Sequence, residues 1–269
     1  MTNKGVEFTL NTRNILTHDF TWTSGLTFSI NRNEVTKLYS ESSAISGING
    51  NETLTYTMVG EPVGQFYGYK VIGMFKEESD FYKKDADGNF QLDEAGNRIR
   101  IAIPKGQQIS KNGIWVGDYI YEDLHEDGVI DEKDRTFLGN PAPKFTFGFN
   151  NYFAYKGFDL NIFLNGSVGN KAVNLIRRTF TDPMRNSNLL KEATDIALIG
   201  MHDPEVGDEE LSNVYIVNAD RAKVQRVTTS SANDNNRISS RFIEDASYLR
   251  IKNISLGYTF PRKCCAIYK

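Results

Sequence analysis

Cysteine is nearly absent from this chain. Its 269 residues contain two, Cys264 and Cys265, side by side near the end, which excludes a disulfide framework and a cysteine zinc site. The three histidines, His18, His125 and His202, are scattered and argue against a histidine-rich metalloenzyme. There is no surplus of positive charge: 31 Lys and Arg face 34 Asp and Glu, for a net charge of −3. A nucleic-acid binder needs a basic face to neutralise phosphates, so none is expected here. No apolar run approaches the ~18 residues of a membrane helix. The first residues carry no basic-then-apolar leader, so no signal peptide is expected, and Arg262–Lys269 carries no readable pattern. No Gly-x-Ser-x-Gly elbow, Walker loop or dinucleotide fingerprint is present, and no enzyme activity is expected. Aromatics are plentiful instead, with 17 Phe, 13 Tyr and 2 Trp. A mean hydropathy of −0.44 suits a soluble protein or a transmembrane β-barrel, whose strands set a polar residue inward for each apolar residue outward.

Long period-two alternation is the strongest signal. From Phe20 to Ile30 one face reads Phe20, Trp22, Ser24, Leu26, Phe28, Ile30 and the other Thr21, Thr23, Gly25, Thr27, Ser29. From Phe145 to Tyr155 one face reads Phe145, Phe147, Phe149, Asn151, Phe153, Tyr155. Lys156-Gly157 predicts a tight turn, and Phe158, Leu160, Ile162 and Leu164 mark the return strand, with Phe163 out of phase. Val6, Phe8 and Leu10 mark a strand near the start. A last strand is expected from about Phe242 to Phe260, with a bulge at Lys252-Asn253 where the apolar phase switches.

Length separates two architectures. Globular strands average ~5–6 residues, whereas a tilted strand crossing a bilayer needs ~9–11. Two runs reach that length with no charge on the apolar face, where one at mid-membrane would cost ~2–4 kcal/mol. Connections 14–19 and 156–157 are short; those of 31–144 and 169–241 are long, polar and rich in Gly, Asn and Asp. Short turns on one side and long loops on the other are the barrel habit. The expectation is therefore an all-β chain: part of an antiparallel transmembrane β-barrel, in one region 1–269, with two long extracellular loops. About five wall strands are readable and a closed barrel needs at least ~8, so a fragment is expected. The alternative is a soluble, calcium-stiffened β-sandwich that binds carbohydrate. It would bury the same apolar faces between two layers.

One segment carries metal chemistry. Residues 123–134 read as a 12-residue calcium loop. Asp123, Asp127 and Asp131 stand at positions 1, 5 and 9, Gly128 at the turn position 6, Val129 at the main-chain ligand position 7, and Asp134 closes the loop. His125 at position 3 offers nitrogen where calcium prefers oxygen. A structural Ca2+ or a metal-free acidic turn are the two readings. Asp85-Ala86-Asp87-Gly88-Asn89 lacks the rest of the spacing and reads as a hairpin turn. The aromatics Phe66, Tyr67 and Tyr69 could stack on a substrate's sugar rings or simply pack within the loop. Arg177-Arg178 reads as a solvated pair.

Several segments also resemble a known family. These are Gly5–Ile15, Gly60–Tyr69, Gly117-Asp118 through Asp134-Arg135, Leu138–Lys144 and Arg241–Asn253. Together, and in this order, they are similar to the C-terminal part of SusC/RagA-type TonB-linked outer-membrane transporters of Bacteroidota. The resemblance implies a ~22-stranded barrel in the bacterial outer membrane. It implies an N-terminal plug and a TonB box, both missing from this sequence, through which TonB-ExbB-ExbD would act. It further implies a SusD-like surface lipoprotein as lid, and an oligosaccharide or peptide as substrate. After Pro261 the sequence departs from the family pattern.

Overall fold

The computed structural model describes residues 1–40 and 43–260. The departure after Pro261 and the two cysteines lie outside the described residues. Five long strands form one antiparallel sheet: β1 (Thr2–Leu16), β2 (Phe20–Glu34), β3 (Phe145–Tyr155), β4 (Phe158–Val168) and β5 (Tyr248–Tyr258). Their spatial order is their chain order. The β3–β4 turn forms at Lys156-Gly157 as expected, both residues taking positive φ of 45° and 91°. β5 begins at Tyr248, not near Phe242. Residues 240–242 form a 3-10 turn and Ile243–Asp245 pair instead with Lys171–Val173. The expected bulge is present, with the β4–β5 register slipping where Phe163 faces Asn253 and Leu164 faces Ile251.

Register makes the alternation two-dimensional. Phe8, Phe28, Phe147, Gly166 and Leu249 lie in one row across the sheet, and Leu10, Leu26, Phe149, Leu164 and Ile251 in the next. Ile15, Trp22, Phe153, Leu160 and Leu256 make another. Because side chains alternate between faces, all these rows share one face. The other face carries Thr9, Asn11, Thr27, Gly25, Gly148, Asn150 and Asn161. From Phe20 to Ile30 the apolar band runs ~35 Å along the strand, or ~25 Å tall at a ~45° tilt. One row is polar across β1 to β3, with Thr12, Ser24 and Asn151, before it continues as Ile162 and Ile254. It satisfies itself, since Trp22 Nε1 and Ser24 Oγ both donate to Asn151 Oδ1 at 3.1 and 2.8 Å, and Asn14 Nδ2 donates to Ser24 Oγ at 2.7 Å.

Among the described residues no second layer covers the apolar face. Leu256 is 73% exposed and Val6 66%, and the buried core cluster contains no wall residue. This overturns the sandwich alternative, in which Trp22, Phe28, Phe147 and Leu160 would meet across two sheets.

The buried core lies instead in the long connections, which the composition presents as polar loops. Phe75, Phe81, Ile114, Trp115, Val116, Tyr119 and Tyr121 come from the first; Ala197, Val214 and Ile216 come from the second. Phe75 and Phe81 stack at 4.1 Å. The two connections thus build one folded cap on the same edge of the wall. A four-stranded sheet, ordered Arg135–Gly139, Gln65–Tyr69, Glu52–Met58, Ala44–Asn49, forms part of it.

Candidate functional site

Every candidate residue read from the sequence lies in this cap. In the acidic loop, each aspartate caps main-chain N–H groups. Asp123 Oδ2 accepts from Gly128 N at 3.0 Å, Asp127 Oδ1 from Val129 N at 3.1 Å, and Asp131 Oδ1 from Lys133 N at 2.9 Å. Asp134, 1% exposed, accepts from Leu124 N and Asp131 N at 2.9 and 2.8 Å and so closes the loop on itself. Gly128 takes φ +80°, the left-handed turn that position 6 demands. Val129-Ile130 pairs with Ile103-Pro104 and plants Ile130 in the core. His125 Nδ1 lies 3.7 Å from Asp134 Oδ1. The donor set is hard oxygen, as Ca2+ requires, and Asp123 Oδ1 is buried with no partner. Among the described residues no three His, Cys, Asp or Glu side chains are gathered as a metal centre.

Asp85 behaves as the hairpin reading requires. Its Oδ1 accepts from Asp87 N and Asn89 N, and Lys84 bridges Phe90 across the turn. Phe66 is buried at 7% exposure. Tyr67 stacks on Tyr56 at 4.7 Å, with the Arg135 guanidinium 4.9 Å from its ring. Tyr69 lies against the guanidinium groups of Arg237 and Arg135, at 4.7 and 6.0 Å. It lines a polar cavity of about 350 Å³ with Asn51, Glu132, Arg135 and Arg237. Burial raises the Tyr67 and Tyr69 phenols above their ordinary range, against the pull of those arginines.

Arg177-Arg178 is not solvated. Arg177 pairs with Glu192, and Arg178 pairs with Glu52 and donates to the Asn236 carbonyl at 2.7 Å. Among the described residues the most buried ion pair belongs to a network that the sequence reading did not single out. Arg226 Nε and Nη2 grip Asp118 Oδ1 and Oδ2 at 3.0 and 3.1 Å, with side chains 6% and 1% exposed. Asn235 Nδ2 and Trp115 N also donate to that carboxylate, and Arg226 donates onward to the Lys111 and Gly113 carbonyls. This network clamps the second connection to the first. Its one sequence signal is an acid directly after the apolar run Ile114-Trp115-Val116-Gly117.

No protein-family model matches the chain. Curated relatives do. It is 31% identical over 263 residues to TonB-dependent receptor P3 of Formosa agariphila, covering 96% of this chain and 22% of the relative. It is 23% identical over 258 residues to TonB-dependent receptor SusC of Bacteroides thetaiotaomicron, covering 96% and 20%. Among solved structures, the RagAB peptide transporter matches with a TM-score of 0.60 at 18% identity, over 99% of this chain and 23% of the other. The RagAB peptide importer in a closed-closed state matches with a TM-score of 0.55 at 19% identity. The chain spans about a fifth of the length of the curated relatives it matches. Likeness along nearly the whole chain, joined to a barrel-wall sheet with one uncovered apolar face, makes it similar to one stretch of the TonB-dependent receptors of SusC/RagA type, β-barrel proteins of the outer membrane.

Proposed function

We propose that this chain supplies wall and cap to an active outer-membrane importer of oligosaccharides or peptides. Uptake would be driven by TonB-ExbB-ExbD, through a plug and TonB box elsewhere in the protein. The observation that carries this reading is the pairing of an uncovered apolar face with one folded cap raised from a single edge of the wall. A wall alone would serve a pore. A cap with its own core gives a docking floor for a SusD-like lipoprotein lid, and the cap would face the cell exterior because it is built from the long connections 31–144 and 169–241. The names of two relatives, a SusC receptor and a RagAB peptide importer, support the class of activity. The test is uptake of labelled oligosaccharides and peptides by cells carrying the full-length receptor or a deletion. Loss of one solute on deletion, restored by the gene but not by a TonB-box mutant, is the expected result. Unchanged uptake of every solute would refute it.

We also propose that residues 123–134 hold a structural Ca2+, with Asp123, Asp127, Asp131, Asp134 and the Val129 carbonyl as oxygen donors. His125 stays outside the coordination. The unpartnered Asp123 Oδ1 supports this. Calorimetry on the full-length receptor should show calcium binding that Asp123→Asn weakens at least tenfold. No heat with calcium, but heat with zinc that His125→Gln abolishes, would reassign the loop.

A further inference from the structure

The apolar face ends, on the cap side, in an uncompensated pair of cations. Val6 faces Ile30 in the last apolar row, and two residues further out Lys4 lies directly opposite Arg32 on the same face. Like charges set opposite each other across a sheet destabilise it. Among the described residues neither side chain forms an ion pair. Glu34, next but one on the same face, bonds to neither, and Glu7 belongs to the other face. Arg32 is nevertheless held in place. Its Nη1 donates to the carbonyls of Lys144 and Pro143 at 2.9 and 3.3 Å, and to its neighbour Asn31 at 3.4 Å. That leaves the Nε–Nη2 edge, the fork that fits two oxygens of one phosphate, without a partner among the described residues.

Height selects the ligand. At ~3.4 Å per residue and a ~40° tilt, this row stands roughly 5 Å beyond the apolar band. The polar headgroup layer is itself roughly 5–7 Å thick. We propose that Lys4 and Arg32 clamp the phosphate of a membrane glycolipid whose acyl chains lie along the Val6, Phe8, Ile30 and Phe28 surface. The proposal rests on the outer-membrane barrel and is independent of the solute carried and of calcium.

The test is native mass spectrometry of the full-length receptor in detergent. The added lipids are bisphosphorylated lipid A and the same lipid with its phosphates removed, with inorganic phosphate as a separate addition. The wild type should retain the bisphosphorylated lipid. Occupancy should fall at least fivefold in the Lys4→Gln/Arg32→Gln double variant, two- to threefold in Arg32→Lys, which keeps the charge and loses the fork, and not at all in Lys156→Gln, at the β3–β4 turn on the opposite edge of the wall. Equal retention of the dephosphorylated lipid would overturn the proposal, as would wild-type retention by both the double variant and Arg32→Lys. Displacement of the lipid by millimolar inorganic phosphate would make this a free-anion site, which also overturns it. If the double variant fails to fold, Arg32→Lys decides alone.

Discussion

Replacing Arg226 with Met should loosen the cap without disturbing the wall. The methionine fills much of the arginine's volume but leaves the Asp118 carboxylate in a site where it is 1% exposed. Two donors remain to it, Asn235 Nδ2 and Trp115 N. The Lys111 and Gly113 carbonyls lose theirs. Breaking one partner out of a buried pair costs about 3–5 kcal/mol, and each ~1.4 kcal/mol is a factor of ten. Cap opening should therefore become about two to nearly four powers of ten more frequent. Hydrogen exchange on the full-length receptor in detergent reads this at the Phe75 and Gly117 amides. Their main-chain bonds, Phe75 N to Asp118 O and Gly117 N to Phe75 O, involve neither altered side chain. Amides of β3 and β4 should exchange as in the wild type. The double variant Asp118→Leu/Arg226→Met removes both charges, so it should cost less than the two single changes summed. Less than a threefold change in Arg226→Met, or an additive double variant, would refute the assignment of the pair as the clamp.

Gly117→Ala should destabilise the same cap by about 2–4 kcal/mol, because φ is +94° and the new methyl would lie 2.7 Å from Arg226 Cβ; the Phe75 amide again reports it. Leu26→Lys, at the centre of the apolar face, should cost ~2–4 kcal/mol in urea refolding of the receptor into vesicles, whereas Thr27→Lys, on the polar face of the same strand, should cost under about 1 kcal/mol. Equal costs would reverse the assignment of faces. Asp245, bonded by Ser247 and Lys171, has its carboxyl lowered from the ordinary 3.8 to about 2. A depressed carboxylate stabilises above its unfolded value, so this turn should hold down to about pH 4 and loosen as pH falls towards about 2. A carbon-13 carboxyl titration with Asp245→Asn as the assignment control should give that midpoint; one near 3.8 would deny the interaction.

The wall was legible because its determinant is local. Period-two alternation over Phe20–Ile30 and Phe145–Tyr155, with a two-residue turn at Lys156-Gly157, depends on neighbours in the chain, and the phase switch near Lys252 announced its own bulge. The cap was not legible because its determinants are distant. Phe75 packs with Trp115 and Val214, and Asp118 finds Arg226 across 108 positions, so no window of the sequence contains both halves. Short strands such as Val214–Ile216 are below the length at which alternation can be read. Arg177 and Arg178 looked solvated for the same reason, since Glu192, Glu244 and Glu52 reach them only in the fold. The acidic loop lay between these cases: its spacing was readable, but the turning of its carboxylates onto their own N–H groups was not.

The cap's interior is drawn from stretches on either side of the β3–β4 hairpin, and this bears on how such receptors diversify. A crossover between two related genes that fell inside Phe145–Val168 would give a flawless wall and an exterior whose two halves had never met. An intact cap interior can therefore be exchanged only as a single cassette reaching from the end of β2 to the start of β5, hairpin included.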